Sequence, residues 1–469
     1  MVERASAPHR STVVAAISHG PAPAGDRAGS RSPTRRTLLR LFGVTAPLQA
    51  AFTACGQATS PATRGGPEAA GSVTWAYSAN PQSTGFDRIE AAFRQKYPKI
   101  TLEVLNQAQD FYDQMLAMFA AGNPPDVFRL NDDFVKAWYV KHLLAPLDGY
   151  MKASGVKKDD YYDAIINFPV QEGKVVSWFL GANPRLIYYN VDLFRRFGVS
   201  LPPKKWENTG WTFDDFVDTA RKLTHPNEQP PIYGAAAYDD TGNEQTFSIN
   251  NGSPTGIYSK DGLKFTLADP PGYEAIQWIA DLTHKHRVQP TRQVASDHKG
   301  TDDMFINQML AMRFTSTGFI NRIRRDAPSM NWDVAPIPMR AVRRNEGSIQ
   351  TYALVVGAKN PDNGWHLLHF FTEQEVARIF IDTGYVIPAK KAFAKDYIAA
   401  QKKASPSLNA ELIVDSFNYQ TQPNQTLDTP AARRIYRGSN LNEIWDGLVT
   451  AKEGLNRVRA AVEAAIAPK

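Results

Sequence analysis

The sequence predicts an α/β protein built as two lobes, and three observations carry that prediction. Between Ser72 and Phe128, short β-rich segments alternate with amphipathic helical ones in the order strand, helix, strand, helix, strand, which argues for a parallel sheet. About 415 residues remain once an export leader is set aside, more than one core usually holds. Cys55 is the only cysteine in 469 residues, so with it tethered the fold rests on its hydrophobic core without disulfides.

Each element has its own signal. Ser72–Tyr77 reads as a strand running into a polar loop, Ser78–Gly85. Phe86, Ile89, Phe93 and Tyr97 then fall on one helical face, and Pro98 stops the helix. Ile100–Leu105 alternates as a second strand. Asp110 is the expected N-cap of a helix whose stripe is Phe111, Met115, Met118 and Phe119, with Gly122 ending it. Asp126–Phe128 is the third strand. Lys174–Leu180 and Leu186–Asn190 read as two buried strands around Gly181-Ala182-Asn183-Pro184, followed by a helix at Val191–Phe197. Thr212 and Asp215 have capping-box spacing and open a helix with Phe213, Phe216, Val217 and Ala220 inward. A helix is expected over Tyr273–Lys285, and strands at Ala311–Phe314, Trp332–Ala335 and Tyr352–Val356. Pro361 starts a helix at its favoured first position, and helices dominate thereafter, ending in Leu441–Ala465.

The leader carries a targeting message. Arg35-Arg36 precedes a weak apolar run, and Phe52-Thr53-Ala54 leads into Cys55. Leu38–Ala54 is interrupted by Gly43, Pro47 and Gln49, whereas a spanning helix needs roughly 20 apolar residues. The pattern resembles a twin-arginine signal, with leucine where phenylalanine is usual, ending in a lipobox with Phe52 in the usual leucine position. Residues 1–54 are thus expected to be a lipoprotein signal peptide and 55–71 a flexible tether from a lipidated Cys55 at the outer face of the cell membrane. Met1–Pro33, rich in Ala, Pro, Ser and Arg, cannot build a core. Met1–Ala54 holds seven Arg against one Glu and one Asp. The remainder therefore has a net charge near +1, against +6 for the whole chain, and no nucleic-acid partner is expected.

Several runs resemble the family-1 extracellular solute-binding proteins, the lipid-anchored receptors of sugar ABC importers. They are Tyr112–Leu116 with Ala120–Phe128, then Leu144-Ala145-Pro146-Leu147-Asp148, then Ile187–Phe194. Pro202-Pro203, Trp211–Phe216, Gln308–Met312, Asp333–Pro338 and Thr383–Pro388 continue the resemblance in order. Gln308 stands where the family prefers glycine, and Gly318-Phe319 where Gly-x-Trp is common. The resemblance implies a type II periplasmic-binding-protein fold with the ligand between lobes. Residues 72–183 and 308–350 would form the first lobe, and 184–307 and 351–469 the second. Crossovers are expected near Asn183–Ile187 and Gln350–Leu354. It also implies a monomer that delivers a carbohydrate to an ABC permease, with no catalysis, cofactor or metal.

A sugar offers many hydroxyls and flat apolar faces, so its site needs Asn, Gln, Asp and Tyr with an aromatic platform. Loops after the strand ends supply candidates: Asn80, Gln82, Asn131 and Asp133, with Asn183 and Gln350 at the expected crossovers and Tyr385 in a family-like loop. Tyr238, Asp240, Asn243 and Gln245 form a dense polar run in the second lobe, and Phe319 is an aromatic candidate. Trp75, Trp138, Trp178 and Trp445 could stack on sugar or serve the core, whereas Trp365 reads as packing. Asn, Asp and Gly also favour plain turns.

Other readings compete. A glycoside hydrolase would use two carboxylates, and the Asp pairs at 132, 159, 214, 239 and 302 are available. No G-x-S-x-G, H-E-x-x-H, G-x-G-x-x-G or P-loop pattern occurs. The same scaffold could take a glycerol-phosphate through convergent Arg or Lys, or a polyamine through the acids at 239–244. His284 with His286 and His366 with His369 are weak metal candidates that read better as caps or surface.

Overall fold

The computed structural model describes residues 69–79, 84–107, 110–422 and 424–468. The leader, Cys55, most of the expected tether, Asn80 and Gln82 lie outside the described residues. Among those described, twelve strands form: β1 Gly71–Tyr77, β2 Ile100–Asn106, β3 Val127–Asn131, β4 Val170–Gln171, β5 Lys174–Val175 and β6 Trp178–Asn190. The rest are β7 Tyr233–Ala236, β8 Leu310–Ser316, β9 Trp332–Ala335, β10 Asn345–Leu354, β11 Ile387–Pro388 and β12 Gln420–Thr421.

Ten of these strands join in one sheet with main order β2-β1-β3-β10-β6-β8-β7. β1 is parallel to β2 and β3, as the strand–helix rhythm predicts. β10 then enters antiparallel between β3 and β6. The sheet falls into two halves because β6 serves both. Its first residues pair with β10 and β11, and Arg185–Asn190 pair with β8 and β9. Thirteen residues at about 3.3 Å each make it long enough to do so.

Side-chain alternation puts a core on each face of the first half. Val73, Trp75 and Tyr77 of β1 pack with Phe86, Ile89 and Phe93 of the helix Phe86–Lys96. Ala76 points the other way, into a smaller cluster with Phe111, Met115, Phe128, Leu130, Phe134 and Trp138. In the second half the helix Phe213–Lys222 buries Phe213, Phe216, Val217 and Ala220, and its capping box forms in both directions between Thr212 and Asp215. Pro361 opens the helix Pro361–Phe370, which covers β1 and β10. No helix of the described residues is long and apolar enough to cross a membrane.

Several expectations are corrected. Gly181–Pro184 is not a turn between two strands; β6 runs straight through it. Pro184 stays in the ladder opposite Gly347, and its carbonyl accepts Thr317 N at 3.0 Å. Lys174-Val175 pairs instead with Val170-Gln171 in a separate hairpin. Asp110 makes no side-chain cap and adopts φ 49°. The helix expected from Tyr273 starts at Pro270, and β10 starts at Asn345 rather than Tyr352. Leu441–Ala465 is two helices, Ser439–Trp445 and Ala451–Ile466, divided at Gly447 (φ 72°) and restarted by a Thr450/Glu453 capping box. Strand pairing also redraws the halves. β8 and β9 lie against β6 beside β7, so most of 308–350 belongs with the second half. β10 beyond Gln350, β11 and the helix Pro361–Phe370 belong with the first.

Candidate binding cleft

The polar centre of the molecule is built where β6 and β10 pass from one half to the other. β3 ends at Asn131, and Asp132–Phe134 forms a single tight helical turn leading into the helix Val135–Tyr139. The Asp132 carboxylate pins that turn to β10 by accepting Ile349 N at 2.8 Å, and it also accepts Asp133 N at 3.0 Å. Burial first, and then the charge of Asp133, push the Asp132 carboxyl up to about 6. From the far side comes the helix Thr429–Tyr436, capped by Asp428 accepting Ala431 N at 3.1 Å. Arg433 and Arg437 lie four residues apart and so reach the same side.

These elements enclose a cavity of about 320 Å³. Arg129, Asn131, Asp132 and Asp133 line it from the first half, with Thr241, Arg433 and Arg437 opposite. Arg185, Glu346 and Ser348 of the crossing strands complete the wall. Arg433 pairs with Asp133 at 2.7 Å, and Arg437 with Glu244 at 2.7 Å. Arg185 is clamped by Asp240 and Glu346 and donates to Thr241 Oγ1 at 3.0 Å. Burial alone would raise the Asp240 carboxyl, but the charge and bond of Arg185 outweigh it and hold the group below its ordinary range.

Two chambers adjoin the cavity. One of about 570 Å³ shares Arg433 and is walled by Phe111, Tyr112, Leu116, Phe134 and Trp138. The other, about 220 Å³, shares Thr241 and Arg437 and presents Tyr238, Leu441 and Trp445. Gln425 ties the rims together. Its Oε1 accepts Lys136 N and Gln171 Nε2, each at 2.9 Å, while Lys136 Nζ donates to Asp261 O at 3.0 Å. Such an arrangement can hold a multiply hydroxylated solute against aromatic faces. Among the described residues no group of three or more His, Cys, Asp or Glu side chains could hold a metal ion.

A model of the bacterial extracellular solute-binding protein family matches residues 80–378, more than half the chain. The chain belongs to this family. A binding protein of Brucella abortus is 24% identical over 318 residues, which is 66% of this chain and 74% of that protein. The maltotriose-binding protein of Pyrococcus abyssi is 22% identical over 296 residues, 60% of this chain and 59% of that one. Among solved structures, an ABC substrate-binding protein of Listeria monocytogenes in complex with cycloalternan gives a TM-score of 0.74 at 20% identity, covering 84% of this chain and 99% of that chain. Maltose-bound MalE3 of T. maritima gives 0.70 at 17% identity, covering 84% and 100%. At these identities the likeness is one of fold, the two-lobed type II binding-protein fold.

The solute-binding fold gathers only part of the expected site. Asn131 and Asp133 line the central cavity. Gln350 stands behind it, its Oε1 accepting Arg129 at 3.4 Å, and Tyr385 is a neighbour of Arg129. Tyr238 and Asp240 line the smaller chamber. Four candidates are engaged in the framework instead. Asn183, its amide assigned so that the nitrogen faces the neighbouring carbonyls, donates to Tyr385 O at 2.7 Å and holds the crossing. Asn243 donates to Ala237 O and Tyr238 O, at 3.1 and 2.8 Å. Gln245 donates to Gln422 O and accepts Ile257 N, at 3.2 and 3.0 Å. Phe319 is core, packed edge-on to Tyr188 and Phe305. Trp138 and Trp445 line chambers, whereas Trp75, Trp178 and Trp365 are core. The arginines, Glu346 and Ser348 were not expected. The i, i+4 spacing of Arg433 and Arg437 was the one visible hint.

Proposed function

We propose that this protein is the substrate-binding component of an ABC importer, capturing a sugar or oligosaccharide between its lobes and passing it to a membrane permease. It catalyses nothing. The observation that carries this reading is the central cavity, lined by both halves and both crossing strands and sharing Arg433 with an aromatic-walled chamber. Cavities of this size, with a few convergent polar groups, suit small-molecule capture. The relatives named above for maltotriose, cycloalternan and maltose support a carbohydrate. A solute touching both halves would favour the closed arrangement through its extra affinity for it. Residues 1–54 would direct export, and the stretch from a lipidated Cys55 up to the packed residues just before β1 would tether the protein outside the cell membrane, where a monomer meets the permease.

The convergence of arginines favours one second reading, a glycerol-phosphate on the same scaffold. The polyamine reading loses its support, because Asp239, Asp240 and Glu244 are paired with Arg313, Arg185 and Arg437. A thermal-shift screen of the purified protein against sugars, polyols, glycerol-phosphates and polyamines tests the assignment. A sugar that raises the midpoint, loses about tenfold in affinity with Asn131→Ala, and is recovered unchanged after long incubation is the expected outcome. Product formation would point to a hydrolase instead.

A further inference from the structure

We propose that the captured solute carries an acidic group, a carboxylate or a phosphate ester, and that Arg129 receives it. This rests on the central cavity being the binding site. Three of the cavity's four arginines are answered by the protein itself: Arg185 by Asp240 and Glu346, Arg433 by Asp133 and Arg437 by Glu244. Arg129 differs. Among the described residues no carboxylate lies within ion-pair distance of it. Its guanidinium donates to Ser78 O at 2.7 Å and to Gln350 Oε1 at 3.4 Å, both neutral oxygens. A guanidinium has five N–H donors, so most remain for an oxygen placed in the cavity.

Among the described residues, the surroundings of Arg129 supply no carboxylate in direct contact with it. Its near neighbours are the neutral phenols Tyr112, Tyr352 and Tyr385, and the charge of Asp132 reaches it only from beyond ion-pair distance. Tyr352 stands directly across from it in the β3/β10 ladder and ends in a buried hydroxyl without a hydrogen-bond partner. The acids that line the cavity are committed elsewhere, Asp133 and Glu346 to arginines and Asp132 to two backbone N–H groups. Holding a half-buried guanidinium without a direct ion pair is costly, and an oxyanion bound by two of its N–H groups is the natural complement. A plain hexose would leave that charge without a direct partner.

The test compares neutral monosaccharides with their uronates and their phosphates, skeleton by skeleton, by thermal shift and titration calorimetry on the full chain. At least one acidic member should bind about tenfold or more tightly than its neutral parent, as one charge-assisted contact provides. Whether the uronate or the phosphate leads identifies the source of the charge. Arg129→Gln should reduce the preference to about twofold or less, and Arg129→Lys should keep part of it. Neutral parents that match or exceed their acids would overturn the inference while leaving the sugar reading in place. Silence from every member would overturn both. The wild-type ratio decides the matter even if a variant does not fold.

Discussion

Replacing Asp132 with asparagine should change the protein's stability in a way that depends on pH. The side chain is buried (8% exposed), and burial with the Asp133 charge raises its carboxyl from 3.8 to about 6. A carboxyl that holds its proton more tightly in the folded state favours folding at low pH. That contribution is complete below about pH 4 and is lost as the pH rises through about 6. The interval between the two values is worth about 3 kcal/mol at 1.36 kcal/mol per pH unit. Asparagine escapes this cost because it never ionises. It offers one acceptor oxygen, however, where the carboxylate uses two, for Ile349 N and Asp133 N, and the lost bond costs about 1 kcal/mol. Asp132→Asn should therefore match the wild type near pH 4.5 and exceed it by about 2 kcal/mol near pH 8. Urea unfolding at the two pH values measures the difference directly. A stability difference that stays the same at both would mean the carboxyl titrates normally, and would refute the argument that burial and the Asp133 charge raise it.

Two further substitutions probe the frame around the cleft. A Cβ at position 242 would overlap the Arg185 guanidinium and the Glu346 carboxylate, so Gly242→Ala should destabilise the protein by about 3 kcal/mol and weaken solute binding; calorimetry of the variant with and without solute would show both effects. Gln308 holds φ 59° in an exposed turn before β8, so Gln308→Gly should relieve up to about 1 kcal/mol and raise the melting point without altering affinity.

That turn also illustrates what could be read from the sequence. The family's preference for glycine at position 308 marks a left-handed backbone, and the chain keeps that conformation with a glutamine in place. Local grammar was legible for the same reason. The capping box at Thr212 and Asp215 and the stripe Phe213, Phe216, Val217 and Ala220 depend only on neighbours a few residues away. The cleft was much less legible. Arg185 meets Glu346 from 161 positions away, and Arg433 meets Asp133 only because a late helix returns across the first half. Gly181–Pro184 has the composition of a turn, yet pairing on both sides keeps it extended. Phe319 opens the helix Phe319–Asp326, and its stripe with Ile320 and Ile323 draws it into the core rather than toward solute.

The threading of β6 and β10 also dictates the order in which the molecule can be made. β3 and β6 are emitted early in synthesis, but the strand that belongs between them, β10, begins only at Asn345. Until that point has left the ribosome the first half lacks its central strand, and Trp178 and Phe179 wait without Tyr352 and Thr351 opposite them. Neither half is a contiguous stretch of chain, so neither can be cut out and expected to fold alone. Contacts so distant in sequence slow folding and leave apolar strand edges open meanwhile. A chain truncated before Asn345 should be a client for chaperones and proteases rather than a half-sized protein.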